Sequence, residues 1–141
     1  MEITRYRFDH EDAVFSAIKK DANWALFTND EAIDNYRKSL KESITYVCCE
    51  NGEFCGYSRA LLDDRFAVYI CELYVLPECR NRTIGRSLIA HVKEAFHPLT
   101  VYALSDEDAY YEKLGFTRIG SVFKVSAQQA VEFRLANATI T

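Results

Sequence analysis

The sequence predicts an α/β (α+β) fold in one domain, with a mixed central sheet of about seven strands and helices on both faces. The chain has 141 residues, which is the size of one typical domain. Segments rich in β-forming residues alternate with segments in which apolar residues recur at helical spacing. No stretch rich in Pro, Gly or Ser separates them, and no segment repeats. We therefore expect a single domain over residues 1–141.

The chain begins with a predicted strand followed by two predicted helices. Residues 2–8 have strand character, and Asp9 can cap a helix that ends near residue 20. Residues 28–31, Thr-Asn-Asp-Glu, match a capping box. This motif predicts a second helix that runs to about residue 41.

The apolar pattern then changes from helical to strand spacing. Residues 44–49 are rich in β-forming side chains, and Asn51-Gly52 is a strong signal for a hairpin turn. Residues 54–62 are expected as the partner strand of this hairpin. Residues 66–76 are apolar on both faces, which is typical of a central strand.

Helical and strand patterns alternate again in the second half. Residues 84–96 have helical spacing, and Pro98 prevents that helix from continuing. Residues 99–104 are predicted as a strand, and 107–114 as a short helix that Gly115 terminates. Two final strands are expected at residues 116–125 and 131–135. The predicted order is therefore β-α-α-β-β-β-α-β-α-β-β.

Composition and charge argue against several classes of protein. No apolar run approaches the roughly 20 residues of a membrane span, and the first residues lack the features of a secretory signal. The net charge of −4, from 17 basic and 21 acidic residues, argues against a nucleic-acid binder. The five cysteines have no C-x-x-C spacing and are interpreted as reduced, mostly buried thiols. We expect a cytoplasmic protein that binds no metal, no nucleic acid and no membrane.

Three arginines lie between the predicted central strand and the helix that begins near residue 84. Arg80, Arg82 and Arg86 add positive charge where a helix amino terminus offers unpaired N–H groups and the positive end of its dipole. Gly85 permits close approach of the backbone to a ligand. This combination predicts a site for a pyrophosphate group.

The segment resembles the acetyl-CoA loop of the GNAT acetyltransferase family, which reads Arg/Gln-x-x-Gly-x-Gly/Ala. Here the loop reads Arg-Asn-Arg-Thr-Ile-Gly over residues 80–85, with Thr83 in place of the first glycine. A family-like strand, Leu-Tyr-Val at residues 73–75, precedes it. Residues 109–116, Ala-Tyr-Tyr-Glu-Lys-Leu-Gly-Phe, resemble the family's second signature, A-x-x-F/Y-Y-E-K-L-G-F. The asparagine that many members use against the pantetheine arm has no counterpart in residues 105–108.

The resemblance implies the acyl-CoA N-acyltransferase fold and an enzyme that moves the acetyl group of acetyl-CoA directly to a primary amine of a small molecule or peptide. It also implies that Tyr111 is the acid that protonates the departing thiolate. A phenol suits this role because its pKa, near ~10, is not far above that of a thiol. The residues that would bind acetyl-CoA are Leu73, Tyr74, Val75, Arg80, Asn81, Arg82, Thr83, Ile84, Gly85 and Arg86.

Glu72 is the candidate base that accepts the proton of the amine, because it is a carboxylate in an otherwise apolar strand. A water chain is the other candidate for this step. Alternatively, Glu72 faces a solvated groove or pairs with an arginine such as Arg59. The acceptor pocket of this fold would draw on Trp24, Phe27, Tyr36, Tyr57 and Arg59, with Asp30, Glu31 and Asp34 nearby.

Two readings of the function stay open from the sequence. The first is the enzyme, with acetyl-CoA and an amine acceptor as its partners. The second is a non-catalytic acyl-CoA sensor or interaction module on the same fold, which would keep the arginine loop but need neither Tyr111 nor a base. The sequence is compatible with a homodimer in either case.

Overall fold

The computed structural model describes residues 1–21 and 29–138. The chain divides into two compact units, Met1–Asp106 and Glu107–Thr141. The first unit contains a five-stranded mixed sheet in the order β1-β2-β3-β4-β5. Its strands are β1 (Glu2–Arg5), β2 (Ile44–Glu50), β3 (Glu53–Asp63), β4 (Ala67–Val75) and β5 (Thr100–Ala103). Neighbouring strands from β1 to β4 are antiparallel, whereas β5 is parallel to β4.

Three helices accompany this sheet among the described residues of the first unit: α1 (Glu11–Lys20), α2 (Asp30–Glu42) and α3 (Ile84–Ala95). The N-cap of α2 is Asn29, whose Oδ1 accepts a hydrogen bond from the Ala32 N–H at 2.8 Å. Thr28, the first residue of the predicted capping box, lies outside the described residues. The helix itself is confirmed, and it ends one residue beyond the expected position.

The β2–β3 hairpin turns at the predicted dipeptide. Asn51 and Gly52 have φ values of 52° and 80°, the left-handed conformations that a two-residue hairpin turn requires. The first strand is shorter than predicted, because β1 ends at Arg5 and a 3-10 turn follows at Phe8–His10. Local hydrogen bonding favours this turn, since the Arg7 N–H donates to Nδ1 of His10 at 3.0 Å.

Helices cover both faces of the sheet in the first unit. Cross-strand partners Val47 and Tyr57 pack with residues of α1 and α2 in one core cluster. Side chains alternate between the faces of a strand, so the neighbouring residue Tyr46 points the other way. There its ring contacts His91 of α3 at a centroid distance of 4.5 Å. The predicted mixed sheet between helices is therefore confirmed, with five strands among the described residues rather than about seven.

The second unit contains two helices in its described part, α4 (Asp108–Lys113) and α5 (Ala127–Ala138). Gly115 has a φ of +87° directly after α4, which confirms it as the terminating glycine. The two strands predicted at residues 116–125 and 131–135 are wrong. Residues 116–126 have no regular secondary structure, and the later segment lies within α5.

Local signals explain why α5 replaces the last predicted strand. Ser126 and Gln129 form a capping box, in which the Gln129 N–H donates to Ser126 Oγ at 3.1 Å and the Ser126 N–H donates to Gln129 Oε1 at 3.2 Å. The sequence that follows is rich in alanine, the best helix former. Residues 116–125 have strand composition, but strand propensity is realised only where a neighbouring strand supplies hydrogen bonds and packing. None of the described helices combines the length and hydropathy that a bilayer span requires.

Candidate active site

A β-bulge in β4 lies directly beside the predicted base. Arg59 of β3 pairs with Glu72, but the next residue, Ala60, pairs with Ile70, so Cys71 is an additional residue on β4. In a regular strand Ile70 and Glu72 would point to the same face. Because their partners Arg59 and Ala60 are adjacent and face opposite ways, the bulge directs Glu72 to the face that carries α2.

Glu72 is held by two hydrogen bonds from different elements. The Arg59 Nη2 donates to Oε1 at 3.0 Å, and the Tyr36 hydroxyl of α2 donates to Oε2 in a short hydrogen bond. The side chains of Arg59 and Glu72 are only 16% and 10% exposed. Of the alternatives that the sequence leaves open for Glu72, the structure therefore shows the pairing with Arg59.

The guanidinium of Arg59 is itself bound by several groups. Its Nη1 donates to Ser43 Oγ at 3.1 Å, and its central carbon, Cζ, lies 5.8 Å from the centre of the Tyr36 ring. Its Nε is buried and has no hydrogen-bond partner among the described residues. Burial opposes the positive charge, but the hydrogen bond and negative charge of Glu72 outweigh it, so the pKa of Arg59 is raised. The pair therefore stays ionic on the arginine side.

Two buried tyrosines extend the cluster away from Glu72. The hydroxyl oxygens of Tyr36 and Tyr57 are 2.7 Å apart. Burial and neighbouring acidic groups raise the pKa of both phenols above the ordinary value, so both stay protonated near neutral pH. A phenol has one proton to donate. Since the proton of Tyr36 goes to Glu72, the proton between the two hydroxyls belongs to Tyr57, and the chain runs from Tyr57 through Tyr36 to Glu72.

β4 extends beyond its parallel neighbour β5. β5 pairs with β4 only as far as Ile70 and Ala103, and the Leu104 N–H donates to the Ile70 carbonyl at 2.8 Å. β4 continues to Val75, so among the described residues no strand pairs with this edge of β4 at Leu73. Such an edge offers backbone N–H and C=O groups to an extended ligand that carries amides.

The loop after β4 has a backbone suited to an anion. A 3-10 turn at Pro77–Cys79 leads into a segment in which Asn81 and Thr83 have φ values of 65° and 66°. The first hydrogen bond of α3 runs from the Ser87 N–H to the Thr83 carbonyl at 2.9 Å. The amides of residues 84–86 therefore precede the helical hydrogen bonds and point out of the helix start. Left-handed residues beside such amides form concave anion-binding backbone.

The arginines of this loop form long ion pairs that are partly exposed to solvent. Arg80 donates from Nε to the Val75 carbonyl at 3.0 Å and lies 3.9 Å from Asp21, and Arg82 lies 3.4 Å from Glu50. The side chains of Arg80 and Arg82 are 52% and 56% exposed. Arg86 is exposed in the first turn of α3. Exposed ion pairs contribute at most about 1 kcal/mol each, so these cations can exchange their partners for a phosphate group.

The structure places the other predicted residues in different settings. Tyr111 lies on α4 in the second unit, with its ring perpendicular to that of Tyr110 at 5.2 Å. Trp24 and Phe27 lie outside the described residues. Asp30 and Glu31 are exposed at the start of α2, and Asp34 forms an ion pair with Arg37 at 2.6 Å. The sequence analysis expects Tyr36, Tyr57 and Arg59 in the acceptor pocket and names Arg59 as a candidate partner of Glu72, but it missed the hydrogen bonds that connect Tyr36 and Tyr57 to this pair. Among the described residues, no group of three His, Cys, Asp or Glu side chains could hold a metal ion.

Comparison with known families decides the classification. A family model described as an acetyltransferase (GNAT) domain matches residues 41–118, which is more than half of the chain. The chain belongs to the GNAT acetyltransferase family. The matched region contains the bulge at Cys71, the arginine loop and Tyr111. No curated protein matches the sequence significantly.

Solved structures of GNAT proteins share the fold. The aminoglycoside N-acetyltransferase AAC(6')-Iy in complex with CoA is 17% identical with a TM-score of 0.71, over 89% of this chain and 93% of that one. The same enzyme with the bisubstrate analogue CoA-S-monomethyl-acetylneamine is 18% identical with a TM-score of 0.68, over 89% and 96% of the chains. A transcriptional regulator from Bacillus halodurans C-125 is 15% identical with a TM-score of 0.69, over 89% and 98%. At these identities the likeness shows the fold.

Proposed function

We propose that this GNAT protein is an N-acetyltransferase that moves the acetyl group of acetyl-CoA directly to a primary amine of a small molecule or peptide. The observation that carries the proposal is the position of the unpaired edge of β4. The pairing of β4 with β5 ends at Ile70, two residues before Glu72, and β4 then leads into the arginine loop. A thioester lying along this edge would therefore have an anion site at one end and a carboxylate beside its reactive carbon.

The cofactor site follows from the backbone and the charges. The amides of residues 84–86, with the side chains of Arg82 and Arg86, would bind the pyrophosphate. The edge of β4 at residues 73–75 would accept the amides of the pantetheine arm. CoA complexes of AAC(6')-Iy, which has the same fold, support this assignment.

The chemistry needs one proton acceptor and one proton donor. The amine nitrogen attacks the carbonyl carbon of the thioester, so the C–N bond forms and the C–S bond breaks. Glu72, directly or through water, would take the proton that the amine loses. The departing thiolate receives a proton, and the resemblance of residues 109–116 to the family signature assigns this donation to Tyr111. A backbone N–H near Leu73 would stabilise the negative charge on the carbonyl oxygen, and positioning supplies the rest of the rate gain.

A thiol-release screen with acetyl-CoA tests the function. Polyamines, aminoglycosides, amino acids and peptide amines are offered in turn, and the acetylated product is identified by mass spectrometry. We expect at least one class to be acetylated, with the reaction lost in Glu72→Ala. If acetyl-CoA raises the melting temperature but no amine is acetylated, the protein is an acyl-CoA sensor instead.

The role of Tyr111 has its own test. Tyr111→Phe keeps the ring but removes the proton that the side chain donates, so kcat should fall by about 10²-fold while acetyl-CoA affinity changes little. The neighbouring Tyr110→Phe is the matched control and should retain wild-type turnover. An unchanged kcat in Tyr111→Phe would show that another group protonates the thiolate.

A further inference from the structure

The cluster around Glu72 contains groups from β3 and α2 that bind both oxygens of its carboxylate. We propose that Arg59 and Tyr36 are positioning residues that hold Glu72 in a fixed orientation as the proton acceptor for the amine. This inference rests on the proposed function.

The hydrogen bonds restrain both oxygens of the carboxylate. Nη2 of Arg59, on β3, donates to Oε1 at a distance of 3.0 Å, and the hydroxyl of Tyr36, on α2, donates to Oε2. A carboxylate bound at one oxygen can still rotate about its terminal bond, whereas one bound at both cannot. Each oxygen has two lone pairs, so a further position on each stays available to an amine N–H. The bulge at Cys71 completes the arrangement by directing Glu72 toward these partners.

Tyr57 acts on Glu72 through its hydrogen bond with Tyr36. Its hydroxyl is 2.7 Å from that of Tyr36 and donates to it, because the single proton of Tyr36 goes to Glu72. Hydrogen bonds in such a chain polarise one another, so the donation from Tyr57 strengthens the bond from Tyr36 to the carboxylate. The effect of Tyr57 should therefore be weaker than that of either direct partner.

Kinetics of Arg59→Gln, Arg59→Lys and Tyr36→Phe test the inference, with an amine found by the thiol-release screen. Arg59→Gln should lower kcat by about tenfold or more, because each charged hydrogen bond of this kind contributes about that much. Arg59→Lys should restore part of the rate, because lysine keeps a positive donor beside the carboxylate. Tyr36→Phe should lower kcat by several-fold and leave the KM for acetyl-CoA unchanged.

Tyr46→Phe is the matched control, because Tyr46 is a buried tyrosine on the opposite face of the sheet. The acetyl-CoA-induced rise in melting temperature shows that each variant is folded. If Arg59→Gln does not fold, Arg59→Lys and Tyr36→Phe decide the question. A wild-type kcat in these variants would overturn the positioning role and leave the acetyltransferase intact. A wild-type protein that acetylates no amine would overturn both.

Discussion

Glu72 and Arg59 are at least 84% buried and bind each other, whereas the loop arginines between β4 and α3 are about half exposed. Both regions contain charged side chains on or beside β4, but the charges are stabilised differently. At Glu72, the protein itself supplies the counter-charge and the hydrogen bonds. In the loop, the ion pairs of Arg80 and Arg82 are long and open to solvent.

Folding alone supplies the partners of Glu72. The loop arginines, in contrast, remain able to bind a ligand. A buried ion pair that loses one partner leaves an uncompensated charge in the interior. An exposed arginine that loses its partner is solvated by water at little cost. Substitutions near Glu72 should therefore change stability, and substitutions in the loop should change ligand binding with little effect on stability.

The largest effect is expected from Arg59→Ala. It leaves Glu72 buried without its counter-charge and Ser43 without its donor, and the free energy of unfolding should fall by about 3 kcal/mol. Urea denaturation measures this, and added salt should change the loss little because the pair is shielded from solvent. A loss below about 1 kcal/mol would mean that the pair behaves like a surface salt bridge.

The tyrosine pair should show strong non-additivity. Tyr36→Phe removes the hydrogen bonds that join its hydroxyl to Tyr57 and Glu72, and Tyr57→Phe removes one of the same two bonds. Because that bond can be lost only once, the loss of stability in Tyr36→Phe/Tyr57→Phe should be smaller than the sum of the two single losses, by about 0.5–1.5 kcal/mol. Urea denaturation of the two single variants and the double variant gives the coupling free energy. Additive losses would contradict the hydrogen-bonded chain from Tyr57 to Glu72.

A third prediction concerns the arginine loop. Arg82→Ala/Arg86→Ala should weaken acetyl-CoA binding by about tenfold, measured as the concentration that half-saturates the rise in melting temperature. The unliganded melting temperature should stay close to that of wild type, in contrast to Arg59→Ala. The wild-type affinity should fall with added salt more steeply than that of the double variant.

Arg7→Ala provides the control for this double variant, because Arg7 forms an exposed ion pair with Asp9 outside the loop. It removes a surface arginine of the same kind and should leave acetyl-CoA binding unchanged. Equal affinity in the wild type and the Arg82→Ala/Arg86→Ala variant would refute the assignment of the pyrophosphate to this loop.

The smallest effect is expected at Thr83. A β-branched residue with a φ of 66° is strained by about 1–2 kcal/mol, and glycine relieves this strain but loses more chain entropy on folding. Thr83→Gly should therefore raise the free energy of unfolding by about 0.5–1 kcal/mol and retain acetyl-CoA binding. Asn81→Gly, at almost the same φ, is the matched control and should gain less, because asparagine tolerates this conformation better. Equal gains at both positions would contradict strain at Thr83.

Features whose physical causes lie within a few residues were predicted correctly. The hairpin at Asn51-Gly52, the end of α4 at Gly115 and the arginine loop before α3 all depend on local backbone preferences. The same reasoning failed for the end of the chain. Strand formation at residues 116–125 needs a neighbouring strand, and the capping box at Ser126 directs the next segment into a helix.

The surroundings of Glu72 depend on contacts between distant parts of the chain. Its two hydrogen-bond donors lie 13 and 36 residues away in the sequence, on β3 and on α2. One additional residue at Cys71 determines which face of β4 the carboxylate occupies, and strand periodicity alone does not reveal a bulge. The sequence shows that a carboxylate stands in an apolar strand. Whether that carboxylate is paired, and with which groups, depends on the packing of α2 against the sheet, because that packing brings distant side chains within hydrogen-bonding distance.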